Sequence, residues 1–130
     1  AGDNLQRLDW LLSRLPAAFG ATNYLGSKFS SDPAMAAVLK RLDEAGLAYV
    51  DDTGSVSRAA TARIVAPGGG ARRDLDALVG AAAAGKRALG KTYLDEQTLE
   101  AIREWTRGLD EKNVALAPAS AVVRAAGGEI

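Results

Sequence analysis

The chain has 130 residues, 48% hydrophobic and 25% charged, with Lys plus Arg and Asp plus Glu equal at 16 each and neither cysteine nor histidine. That length suits one domain, or part of a larger one, with a core that needs no disulfide or metal, and the balanced charge offers no net field to nucleic acid or an anionic membrane. Without cysteine there is no disulfide, thiolate metal site or cysteine nucleophile, and without histidine no Ser-His-Asp triad and no imidazole ligand.

Any metal would have to be held by carboxylates and backbone oxygens, a set better matched to Mg or Ca than to Zn. No apolar run is long enough to span a bilayer. No signal peptide opens the chain, which reads as cytosolic or as a mature or trimmed form.

Asp3 or Asn4 can cap an opening helix that carries Leu5, Leu8, Leu11, Leu12 and Leu15 at helical spacing, with Trp10 beside the stripe and Pro16 as its stop. The apolar run 17–21 reads as a buried strand ending at Thr22, Asn23 and Tyr24. Asp32 and Pro33 start a second helix with Met35, Val38, Leu39 and Leu42 inward and Gly46 at its end. Residues 47–50 form the next strand and lead into Asp51 and Asp52.

Ser55 or Ser57 is read as the cap of a helix through Ala59, Ala62 and Val65, closed by Pro67 and Gly68, Gly69 and Gly70. Residues 72–84 are helical with Leu75, Leu78 and Val79 inward, and 87–90 is a strand candidate. Asp95 or Glu96 opens a helix bearing Leu99, Ile102, Trp105 and Leu109. Residues 114–117 give a last strand, Pro118 ends it, and Ser120 caps a short helix over 121–126. Alternating helices and short apolar strands predict an α/β fold: a parallel sheet of roughly four strands with flanking helices.

Ligands of parallel α/β folds gather at the C-terminal ends of strands, which selects Thr22, Asn23 and Tyr24, then Asp51, Asp52 and Thr53, then Lys91, Thr92 and Tyr93. Extended backbone would turn Asp51 and Asp52 to opposite faces. One of them can then act as a base or bind a cation, and equally one can cap a turn while the other is solvated. Asn23 suits an Asx turn and Tyr24 a loop anchor as readily as a binding role. The three consecutive glycines lack the spacing of a phosphate loop. Trp10 and Trp105, on helical apolar faces, are expected in the core rather than stacked on sugar.

Several segments resemble the divergent polysaccharide deacetylase family. Asn23, Tyr24, Leu25, Gly26, Ser27 and Phe29 are similar to its Asn-His-Met-Gly-Ser signature with the following Phe-Thr. The strand ending at Asp51 and Asp52, the segment from Ala88 through Tyr93 to Thr98, and the last strand before Ser120 fall in the family's order and spacing. The resemblance implies an irregular NodB-like β/α barrel and an extracytoplasmic, periplasmic enzyme that removes acetyl groups from polysaccharide with a divalent metal.

Against that pattern, the two family histidines fall on Tyr24 and Tyr93, and the family's first strand with its Asp-Asp pair is absent. The resemblance therefore implies the C-terminal portion of such a domain, residues 1–130, with degenerate or absent metal chemistry and no cofactor of its own. In that site Asp51 is the surviving catalytic acid or base, and Asn23, Tyr24, Ser27, Asp52 and Tyr93 bind substrate. A non-catalytic glycan- or protein-binding domain of the envelope is the alternative. The partner is a polysaccharide or oligosaccharide, and an exposed sheet edge at 17–21 offers a route to a homodimer.

Overall fold

The computed structural model describes residues 2–24, 28–57 and 59–127. They divide into two compact units, 1–61 and 62–130, and both are α/β with parallel strands.

The first unit opens with helix α1 (Gly2–Arg14), followed by strand β1 (Gly20–Thr22), helix α2 (Met35–Glu44), and strands β2 (Ala48–Asp51) and β3 (Ala60–Thr61). Its sheet has the order β1-β2-β3. β1 runs parallel to β2, pairing Gly20 with Ala48 and Thr22 with Val50, as the alternation of elements predicts. Gly20 is required here by proximity: a Cβ at that position would meet the Ala48 carbonyl oxygen at 2.5 Å.

α2 begins two residues later than expected because the Asp32 carboxylate caps the preceding turn, accepting from the Ala34 N–H at 2.8 Å. It ends at Gly46, whose φ of +69° suits glycine. The Gly46 and Leu47 N–H groups there donate back to the Asp43 and Leu42 carbonyls. Met35 and Leu42 are the buried residues of its apolar face.

α1 packs on α2, and Arg41 Nε donates to Asp9 Oδ1 at 2.6 Å. Leu5, Leu8 and Leu12 are half-buried on this helix. Trp10 departs from the sequence expectation. At about 100° per residue it stands about 200° from both Leu8 and Leu12, on the polar face opposite the leucines, and it is 58% exposed.

The helix expected after Ser55 is replaced by β3 and β4. Ala59, Ala62 and Val65 mimic helical spacing, but alanine marks an apolar face weakly. The β-branched Thr61, Ile64 and Val65 favour extended backbone. β3 runs parallel to β2, pairing Val50 with Ala60 and Asp51 with Thr61. The loop between them is shorter than the dozen or so residues of an ordinary parallel crossover, and the Asp51 side chain organises it.

The second unit holds β4 (Arg63–Ile64), α3 (Ala71–Ala83), β5 (Gly90–Lys91), α4 (Glu96–Arg107) and α5 (Ala119–Gly127). β4 and β5 pair in parallel through Arg63 with Gly90 and Ile64 with Lys91. Val65, Ala71, Leu75, Val79, Trp105 and Leu109 form its core, so Trp105 takes the packing role expected of it. Asp95 caps α4, its Oδ1 accepting from the Thr98 N–H at 2.7 Å.

Thr98 is fully buried, and its hydroxyl accepts from the Gly68 N–H at 2.8 Å, which ties the glycine turn to α4. Asp74 of α3 accepts from the Ala66 N–H at 2.9 Å. That bond, with Arg73 and Arg63 nearby, holds its carboxyl below the usual range despite burial.

Residues 114–117 form no strand. They border an apolar groove of about 250 Å³ whose other walls include Leu89 and Gly90. Leu116 is largely exposed, so the segment has no sheet to bury its alternate side chains against.

Candidate functional site

The first unit concentrates polar side chains where β1 and β2 end. Adjacent parallel strands in register bring Asn23, one residue past β1, beside Asp51, the last residue of β2. Asn23 Nδ2 donates to Asp52 Oδ1 at 2.7 Å and lies 3.4 Å from Asp51 Oδ1. The Asp52 N–H returns a bond to Asn23 Oδ1 at 3.3 Å. One amide thus holds both carboxylates. The opposite orientation expected of extended backbone is relaxed because the chain bends at Asp52.

Asp51 is 0% exposed. Its Oδ1 accepts from the Thr53 hydroxyl at 2.9 Å. Its Oδ2 accepts from the same hydroxyl at 3.0 Å, from the Ser55 N–H at 2.9 Å and from the Val56 N–H at 3.2 Å. Gly54, with φ of +71°, lets the backbone curl so that these N–H groups converge. Burial pushes the Asp51 carboxyl up, but the Thr53 and Val56 hydrogen bonds outweigh it and hold the carboxyl below its ordinary value.

Ser30 and Tyr49 complete the surroundings. Burial raises the Tyr49 phenol, and the charges of Asp51 and Asp52 add to the rise. The Ser30 hydroxyl stands close enough to lower both Tyr49 and Asp51, yet its buried oxygen meets no partner at hydrogen-bonding geometry. The Thr53 and backbone donors therefore dominate at Asp51.

Thr53 belongs to the strand-end group selected from the sequence, whereas Ser30 does not. Thr53 was detectable as a hydroxyl two residues after an aspartate, a common turn pattern. Ser30 carried no local signal.

The other expected site residues are distributed as follows. Tyr24 follows Asn23 and is 73% exposed. Asp52 is half-buried. Ser27 lies outside the described residues. Tyr93 follows β5 in the second unit and is 46% exposed.

A divalent metal of the kind the resemblance implies does not fit this donor set. Among the described residues no three Asp, Glu, His or Cys side chains converge on one point. The Asp51 oxygens already face Thr53, Ser55, Val56 and Asn23.

Among the described residues no helix is long and apolar enough to cross a membrane. Comparison with curated proteins and with solved structures returns no match. The sequence profile of the divergent polysaccharide deacetylases matches residues 1–76, more than half of the chain and the whole of the Asn23, Asp51 and Asp52 cluster. The chain belongs to the divergent polysaccharide deacetylase family.

Proposed function

We propose that the chain acts in carbohydrate metabolism on a cell-envelope glycan, as the C-terminal portion of a deacetylase-like domain whose metal-dependent step is degenerate or lost. Its place of action is extracytoplasmic, in the periplasm. The family match over residues 1–76 supports the glycan class, and the observation that carries the loss of the catalytic step is the saturation of Asp51. A general base must reach the proton it takes, and this carboxylate is enclosed and spoken for by Thr53, Ser55 and Val56.

We therefore assign Asp51 a positioning role in place of the catalytic one expected from sequence. It fixes the turn after β2, and through Asn23 it presents Asp52 and Tyr24 at the strand ends. Asn23, Tyr24, Ser27 and Asp52 remain the proposed substrate-binding residues of the first unit, and Tyr93 is proposed separately as one of the second unit. The same saturation favours the second reading, a glycan-binding domain of the envelope without turnover.

Calorimetric titration of the full chain with an acetylated chito-oligosaccharide tests the proposal. Binding weakened severalfold by Tyr24→Ala is the expected result. Binding unaffected by that change would remove the β1 end from the site, and no binding at all would overturn the glycan reading.

A further inference from the structure

The exposed Trp10 is left unexplained by the core and by the site at the strand ends. Its indole sits on the polar face of α1, and a shallow depression of about 300 Å³ is lined by Asp3, Gln6, Arg7 and Trp10. These residues are separated by three, four and seven positions, so they share one helix face. Helical side chains lean toward the N-terminus, which carries the Trp10 ring toward Gln6 and Arg7.

Arg14, one turn further on, holds its guanidinium over the ring, 5.1 Å from the centroid. Arg14 does not line the depression. Among the described residues no hydrogen bond or ion pair engages the side chains of Asp3, Gln6 or Arg7. An acceptor, an amide with both capacities and a five-donor fork therefore surround the aromatic ring without hydrogen-bonding one another.

We propose that this face of α1 is a second carbohydrate-binding surface, which takes a pyranose ring of a neutral glycan. The apolar C–H face of the sugar stacks on the Trp10 indole, while its hydroxyls donate to Asp3 and accept from Arg7 and Gln6. The charge of the lining favours this ligand class: one carboxylate and one guanidinium cancel, so neither a polyanion nor a polycation is attracted. Alternating donors and acceptors around an aromatic plate match a polyhydroxylated ring.

Arg14 supports the plate by holding the ring in place from its C-terminal side. The inference rests on the glycan reading above only for the class of ligand. It concerns a different surface, and the surface would anchor a polymer whose other residues reach the strand ends.

The test is a titration of the full chain with triacetylchitotriose, followed by nitrogen–proton correlation spectra. The chain has two tryptophans, so two indole N–H signals are present, assigned with Trp10→Phe. Trp105 is 8% exposed and in the core and serves as the internal control.

The expected result is a shift of the Trp10 indole signal with Trp105 unmoved, and affinity weakened about tenfold in Trp10→Ala. Tyr24→Ala should leave the Trp10 shift in place. Shifts confined to the Asn23 and Asp52 signals, with Trp10 still, would overturn the platform and leave the strand-end site standing. No shift anywhere at millimolar sugar would overturn both.

Discussion

Replacing Asp51 by asparagine separates the two roles a buried carboxylate can have. The side chain keeps its shape and one acceptor oxygen but loses its charge and gains two donors. The new amide nitrogen cannot face the Oδ2 side, where the Ser55 and Val56 N–H groups point at 2.9 and 3.2 Å. It must therefore take the Oδ1 side, where it meets the Asn23 amide nitrogen, itself fixed by Asp52.

Bonds to a charged acceptor contribute about 1.5–3 kcal/mol and neutral ones about 1 kcal/mol. Three such bonds weakened together, with imperfect additivity, predict a loss of about 2 kcal/mol. Asp51→Ala additionally strands the Ser55 and Val56 donors and should cost about 4 kcal/mol.

Urea unfolding followed by far-ultraviolet circular dichroism reads the difference. With a slope of about 1–3 kcal/mol per molar, the Asn variant should shift the midpoint by about 1 M and the Ala variant by about twice that. The pH dependence gives an independent check. The folded carboxyl titrates below its unfolded value of about 3.9. Its stabilisation is therefore fully present above that value and is lost as pH falls through the lower, folded pKa. The Asn variant should lose less stability on acidification than the parent. An Asn variant as stable as the parent at neutral pH, with an unchanged acid limb, would refute the positioning role.

Two further predictions follow from the packing. Thr98→Val removes the acceptor for the Gly68 N–H and should cost about 1–3 kcal/mol, whereas Thr98→Ser should retain most of the stability in the same urea titration. Gly20→Ala places a Cβ 2.5 Å from the Ala48 carbonyl oxygen. It should separate β1 from β2 at a cost of about 1–3 kcal/mol, seen as faster amide hydrogen exchange across residues 20–22.

The parallel pairing of β1 with β2 was legible in the sequence because two short apolar runs flank a capped helix that ends at Gly46. The placing of Asn23 beside Asp51 was legible for the same reason, since parallel strands share a rim. The 52–65 segment was not: alanine at helical spacing resembles an amphipathic helix, and the turn signal of Asp51 and Thr53 does not say that a strand follows the loop. Trp10 departs from the expectation because proximity in sequence to a leucine stripe is not proximity on the helix, where two positions are just over half a turn. The 114–117 segment is apolar, but of its residues only Val114 favours a strand, and pairing depends on a neighbour that local sequence does not specify.

Zinc titration of the full chain by calorimetry, followed by assay of acetate release from acetylated chito-oligosaccharide, tests the central claim most directly. Catalytic zinc takes about three protein ligands and an open position for water, and the chain has neither histidine nor cysteine to supply them. The account predicts no zinc binding in the micromolar range and no acetate release. Micromolar zinc binding together with turnover abolished by Asp51→Asn would contradict it.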